Sequence, residues 1–209
     1  MHLQSWKKRW DNFSILLKIL IWWKLITVMS SKIILNSNQI NILINRLVCQ
    51  LIENHNDFYN TVLIGLQPRG VYFLNRIISL LKNKYNCKNV NYGVMDITFF
   101  RDDFRRYEKP LVANISDINV NIESKSIVLI DDVLYTGRSI RAALTAIETY
   151  GRPKFIELLI LIDRRFSREL PIQPNYIGLE VDSIQNDRVK VNWRENENED
   201  AVYLINSWW

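Results

Sequence analysis

Ile127-Val128-Leu129-Ile130-Asp131-Asp132-Val133-Leu134-Tyr135-Thr136-Gly137-Arg138-Ser139 is the stretch from which the fold is read. Its first four residues are apolar and β-favouring, the pattern of a strand buried on both faces. Two adjacent carboxylates follow, where such a strand is expected to end. A short turn, Tyr135-Thr136-Gly137, comes next. Beyond it Ile140, Ala143, Leu144 and Ile147 fall at i, i+3, i+4 and i+7, so the chain turns helical, with Gly151 as the expected C-cap. The order is strand, acidic pair, small-residue turn, helix.

That order suits a phosphorylated sugar. A helix N-terminus presents unpaired N–H groups and a partial positive charge, which together accept a phosphate. Thr136 and Ser139 add hydroxyls, and Gly137 lets the backbone come close. Asp131 and Asp132 have the wrong sign for phosphate. They suit sugar hydroxyls, such as a ribose 2′- and 3′-OH, or a metal held by those hydroxyls. Two surface aspartates beside an ordinary Thr-Gly helix start are the plain alternative. It is disfavoured, because two charges directly after a buried strand are costly without a partner.

The stretch resembles the phosphoribosyl pyrophosphate (PRPP) loop of type I phosphoribosyltransferases. Its form is similar to that of the PyrR family, bifunctional pyrimidine-operon regulators and uracil phosphoribosyltransferases. The implied fold is α/β, a central mainly parallel sheet flanked by helices with a small β hood. On this resemblance Thr136 to Ser139 take the 5′-phosphate, Asp131 and Asp132 the ribose hydroxyls, and Val133, Leu134 and Tyr135 complete the PRPP loop.

Three more segments carry the resemblance. The buried strand Thr61-Val62-Leu63-Ile64-Gly65 leads into Leu66-Gln67-Pro68-Arg69-Gly70 and a helix whose inner face is read as Val71, Leu74, Ile78 and Leu81. A guanidinium at that join can grip pyrophosphate oxygens in a fork. The resemblance gives Arg69 and the main chain at Gly70 that task. Tyr92 to Phe100 reads as a strand. The segment Asp96-Ile97-Thr98-Phe99-Phe100-Arg101-Asp102-Asp103 matches the start of the family's mobile lid, where Arg101 neutralises pyrophosphate; Arg105 and Arg106 are weaker candidates. Such a lid keeps water from an oxocarbenium-like sugar. Finally, Phe155 to Ile162 is a strand followed by Asp163-Arg164-Arg165-Phe166-Ser167-Arg168-Glu169-Leu170-Pro171-Ile172. The family's Asp-Arg-Gly-His-Arg-Glu-Leu-Pro-Ile matches at both ends and is one residue shorter. There the resemblance places Arg164, with Val189, in the base pocket. Strands near 175–178, 188–193 and 201–204 are expected to form the hood, from about 163 to 205, with an acidic turn at Asn196 to Asp200.

A helix is expected from Asn38 to about Glu53, with Asn36 or Ser37 as its cap. Its apolar stripe is Ile40, Leu43, Ile44, Leu47, Val48, Leu51 and Ile52. Residues 1–28 stand apart from the domain at 29–209. They hold Lys7, Lys8, Arg9, Lys18 and Lys24 against Asp11, and so supply four of the chain's five net positive charges. The body is therefore close to neutral and has no general pull on nucleic acid. The apolar run between Lys18 and Lys24 has five residues, where a spanning helix needs about 20. Three readings of this segment stay open: a mis-assigned upstream start before Met29-Ser30-Ser31-Lys32, an interfacial helix, or an extra docked helix. No stable membrane association is expected. Cys49 and Cys87 lack metal or CxxC spacing and read as thiols in a reducing compartment.

The implied reaction is uracil plus PRPP giving UMP and diphosphate in the cytoplasm, in a dimer or higher homo-oligomer. Mg²⁺ arrives as the PRPP chelate, and no protein metal site is expected. The catalytic set is Asp131, Asp132 and Arg101. With only His2 and His55 in the chain, no Ser-His or Cys-His pair is found. The family also binds pyrimidine-operon leader mRNA through a basic face. This chain departs there: Asn45, Cys49, Asn54, Gln173 and Leu179 stand where RNA-binding members carry Thr, His or basic residues, while Arg168 is kept. A catalytically weak RNA-binding regulator, or an enzyme for another nucleobase, are the alternative functions.

Overall fold

The computed structural model describes residues 30–102, 115–183 and 187–206. The expectations for residues 1–28, and for Asp103, Arg105 and Arg106 of the lid segment, lie outside them. β1 (Ser30–Leu35) leads into α1 (Ser37–His55). Asn36 caps α1: its Oδ1 accepts from Gln39 N at 3.0 Å, and Gln39 Oε1 accepts from Asn36 N at 2.9 Å. Such a reciprocal box contributes about 1 kcal/mol. β2 (Thr61–Leu66) and α2 (Gly70–Asn83) follow, then β3 (Asn91–Met95) and a 3₁₀ turn at Thr98–Phe100. β4 (Ser126–Leu134), α3 (Arg138–Ile147), β5 (Phe155–Arg165) and β6 (Tyr176–Asp182) complete the larger sheet and its helices. β7 (Asp187–Asn192), a single helical turn α4 (Arg194–Glu197) and β8 (Ala201–Asn206) end the described chain.

The large sheet has the order β3-β2-β4-β5-β6 and every pairing in it is parallel. β4, the strand of the deciding stretch, is central. Its side chains alternate between two apolar layers. Val128 and Ile130 pack with Leu63, Leu159 and Leu161 under α1 and α2, whereas Ile127 and Leu129 pack with Val62, Ile64, Leu158 and Ile160 under α3. Both faces are covered, which is why the strands read as unbroken apolar runs. The smaller sheet, β1-β8-β7, is antiparallel and forms the hood. Val189, Val191, Trp193 and Val202 of the hood join the α1–α2 apolar layer.

Several expectations change. β4 does not stop at Ile130. Its ladder with β5 continues through Asp131↔Ile160 and Val133↔Ile162 to Leu134↔Asp163, so the acidic pair lies inside the strand. β3 ends at Met95, because Asp96 Oδ1 accepts from Thr98 N at 2.6 Å and turns the chain. The core stripe of α2 is Phe73, Leu74, Ile77, Ile78 and Leu81, while Val71 is only half-buried. On α3 the buried face is Ile140, Ala142, Ala143, Ala146 and Ile147, leaving Leu144 exposed, and the C-cap is Glu148 rather than Gly151. The strand expected near 175–178 runs to Asp182 and is the edge of the large sheet, not part of the hood. There Gly178 lies so near β5 that a Cβ would sit 2.4 Å from Leu161 O. β1, unforeseen, supplies the third hood strand. Among the described residues no helix is long and apolar enough to cross a membrane. Both cysteines are free and half-buried.

Candidate active site

The C-terminal end of β4, the turn 135–137 and the start of α3 converge on one cleft. It has a volume of 290 Å³ and is lined by Arg101, Asp131, Thr136, Arg138, Ser139 and Glu169 among others. This is where parallel α/β sheets bind ligands. Gly137 precedes α3 with φ +91°, a conformation other residues resist. Gly137, as the N-cap, has no side chain with which to cap that helix start. Thr136 Oγ1 lies 3.4 Å from Arg138 N, at the long end of hydrogen bonding. Arg138, Ser139 and Ile140 of the first turn line the cleft, and a helix N-terminus is where a phosphate is accepted.

Asp131 forms the floor of the cleft, and Asp132 follows it in β4. Asp132 is buried and Asp131 half-buried. Asp132 N donates to Asp131 Oδ1 at 2.9 Å. Asp132 Oδ2 is buried with no hydrogen-bond partner among the described residues. Burial pushes the Asp132 carboxyl up to about 6, against the pull of the Arg69 charge. Burial, then the neighbouring Asp132 charge, raises Asp131 well above the usual carboxylate range, while the Arg101 charge opposes. A buried acceptor lacking a donor is expensive in a folded protein. Ligand hydroxyls would supply that donor.

At the second strand–helix join, Gly70 touches the floor. A Cβ there would meet Ile130 O at 2.5 Å and Asp131 Cα at 3.2 Å. The β2–α2 loop is therefore seated against Asp131.

Residues 30–197 match the family described as phosphoribosyl transferase domain. The bifunctional protein PyrR of Microcystis aeruginosa is 41% identical over 172 residues, covering 82% of this chain and 96% of that protein. That of Elusimicrobium minutum is 36% identical over 174 residues, covering 83% and 96%. The chain belongs to the PyrR family of phosphoribosyltransferases. Solved structures show the same fold: a hypoxanthine phosphoribosyltransferase from Staphylococcus aureus has a TM-score of 0.62 at 19% identity, covering 85% of this chain and 93% of that one. One from Trypanosoma cruzi has a TM-score of 0.63 at 16% identity, covering 84% and 96%.

The remaining expected positions of this PyrR-family chain fall unevenly about the cleft. Arg69 is beside Asp132, but its guanidinium turns to the hood, donating to Val191 O at 2.8 Å and Glu197 Oε1 at 3.1 Å. Arg138 stands at the cleft mouth between two carboxylates, Glu169 at 2.6 Å and Asp102 at 2.5 Å. Asp102 also pairs with Arg141 at 2.8 Å. Arg164 is buried. It donates to Ser183 Oγ at 2.9 Å and Asp187 O at 2.6 Å, and its guanidinium carbon lies 3.9 Å from the Tyr135 ring centre. That placement ties the hood to the turn at Tyr135. Val189 is buried in the hood. His55 lies at the far end of the sheet, with Nε2 3.0 Å from Glu157 and Nδ1 3.0 Å from Thr61 Oγ1. Two residues escaped the sequence reading. Asp163, at the end of β5, is buried and pairs with Arg168, which also donates to Tyr135 O. Glu197, read only as part of an acidic turn, is the partner of Arg69.

Proposed function

We propose that this chain transfers the phosphoribosyl group of PRPP to uracil, releasing diphosphate and forming UMP. The buried, partnerless Asp132 Oδ2, next in the chain to the Asp131 that shares a cleft with the start of α3, carries the proposal. The α3 N-terminus holds the 5′-phosphate. Asp131 and Asp132 accept from the ribose hydroxyls, and Arg101 and the Gly70 main chain face the pyrophosphate. As the bond from C1′ to the pyrophosphate oxygen breaks, the sugar becomes cationic and the carboxylates stabilise it. The uracil nitrogen closes the new bond and loses its proton. A nucleophilic side chain is unnecessary.

No cluster of three or more His, Cys, Asp or Glu among the described residues could hold a metal alone. Two carboxylates with one free oxygen do fit a Mg²⁺ brought in by PRPP. When bound, the ion neutralises charge on the departing diphosphate. The cytoplasmic location and homo-oligomeric state implied by the family belong to the same proposal. The test is pyrophosphate release with PRPP and each of uracil, hypoxanthine and guanine. Uracil turnover should exceed the purines by at least about tenfold, the low end of what pocket size alone discriminates. Turnover of purines alone rejects the uracil assignment.

The relatives' name, bifunctional, supports a second activity, which the family resemblance makes leader-mRNA binding. We propose that it is weakened here. Asn45 accepts from Lys84 at 2.6 Å, Cys49 Sγ is 3.3 Å from the Tyr85 hydroxyl, and Asn54 donates to the Tyr176 hydroxyl at 3.0 Å. Arg46 donates to the carbonyls of Ile177, at 2.9 Å, and Gly178. These side chains make internal contacts. Each lost phosphate contact flattens the salt dependence by roughly one unit of slope. Filter binding of pyrimidine-operon leader RNA, with and without UMP, should therefore show weak, shallow salt dependence. Steeply salt-dependent binding tightened by UMP would restore the full regulatory role.

A further inference from the structure

One face of α2 is turned to the hood. Phe73 stacks on Trp193 with ring centres 5.9 Å apart, and the Arg76 guanidinium lies 4.7 Å from the Trp193 ring centre. Arg76 also grips the hood turn: it donates to Glu195 at 2.7 Å and to Asp200 at 2.5 Å. Two turns earlier on the same helix face, Arg69 reaches the same turn through Glu197 and Val191 O. The acidic run between β7 and β8 thus meets Arg69, the N-cap of α2, and Arg76 within the helix. These two contacts are not equivalent. Arg76 is far from the cleft floor, whereas Arg69 adjoins Gly70 and places its charge on Asp132.

We propose that Glu197 is a positioning residue for the pyrophosphate end of PRPP, acting through Arg69. The proposal deepens the reading of the site as a PRPP site and rests on it. Glu197 is fixed at both oxygens, Oε2 accepting from Trp193 N at 3.2 Å while Oε1 accepts from Arg69 Nη2. The Val191 carbonyl holds Nη1. The guanidinium is therefore clamped at two nitrogens to hood atoms. Its plane is set, and its charge stays within reach of Asp132. An arginine has five N–H donors; the hood bonds occupy two. A long side chain held this way loses little freedom when an anion arrives, which is the gain of preorganisation. The same clamp joins the hood to the β2–α2 loop.

The experiment is a double-mutant cycle on the full chain, with KM for PRPP, KM for uracil and kcat measured separately. Glu197→Ala should raise KM for PRPP about tenfold, while kcat and the uracil KM move less than about twofold. Glu197→Gln keeps an acceptor oxygen and should restore most of the loss. In an Arg69→Ala background, Glu197→Ala should have no further effect. Glu195→Ala removes a neighbouring strut, yet Arg76 keeps Asp200; its PRPP KM should stay unchanged. A PRPP KM that is unchanged or lowered by Glu197→Ala overturns the proposal. So do additive effects with Arg69→Ala, or a Glu195→Ala variant that behaves like Glu197→Ala. Calorimetric titration with pyrophosphate and Mg²⁺ reads this subsite even where no base is turned over. Absence of uracil turnover then rejects the enzymatic reading, and equal pyrophosphate affinity in wild type and Glu197→Ala rejects the role of Glu197.

Discussion

Asp132→Asn should lose about 10²- to 10³-fold in turnover and unfold at a higher temperature than wild type at pH 7.5. Both effects have one cause. Asp132 sits inside β4, buried, with Oδ2 partnerless among the described residues. Burial raises its pKa to about 6. A raised carboxyl pKa means that the folded protein holds the proton more tightly than the unfolded chain. Stability then falls as pH rises from about 4 to about 6, and the deficit persists at neutral pH. A shift of this size corresponds to about 1–3 kcal/mol. The amide carries no charge to desolvate and should recover much of it, but it cannot balance a cationic sugar. The pH profile follows from the same proton. In wild type, kcat/KM for PRPP should fall on the acid side with an apparent pKa near 6, a property of the coupled pair. A melting temperature lowered by Asp132→Asn, or activity flat from pH 7.5 to 5, would sink this account of the floor.

The site was legible where its parts are contiguous. Residues 127–139 contain strand, acids, turn and helix start, and all four meet in the cleft because nothing intervenes between them. Parts brought together from afar left no local trace. The partner of Arg69 is a glutamate 128 positions away, and that of Arg164 is a serine 19 positions on. An acidic turn reads as solvated surface until α2 is laid against it. The strand ends failed for a related reason. Charge normally closes a buried strand, but pairing with β5 continues beyond Asp131, so β4 carries its acids inward. Phe99 and Phe100 continued the apolar run past β3, and one hydrogen bond donated by Thr98 N to the Asp96 carboxylate was enough to end it. β6 alternates buried and half-exposed residues as a hood strand would. Periodicity gives the pleat but not the sheet to which a strand belongs.

Gly70→Ala should damage stability and turnover together, unlike Asp132→Asn. The requirement is space, since a Cβ would stand 2.5 Å from Ile130 O and 3.2 Å from Asp131 Cα. These are backbone atoms of the central strand, held on both sides by parallel ladders to β2 and β5. They cannot swing aside as the end of a side chain could. Either α2 lifts from the sheet or β4 bends at the acidic pair. Overpacking of a fixed core costs about 1–3 kcal/mol. A displacement of about 1 Å at reacting groups can cost about 10²-fold in rate. The loss should appear mainly in kcat/KM for PRPP, because Arg69 leaves with α2 and Asp131 moves with β4. Val71→Ala, at the adjacent half-buried position, should change each quantity less than about threefold and serves as the control. Circular dichroism melts and PRPP saturation curves on both variants decide the matter. A Gly70→Ala protein with wild-type melting temperature and PRPP KM would mean that the loop and the acidic floor are not in the contact on which the whole site is built.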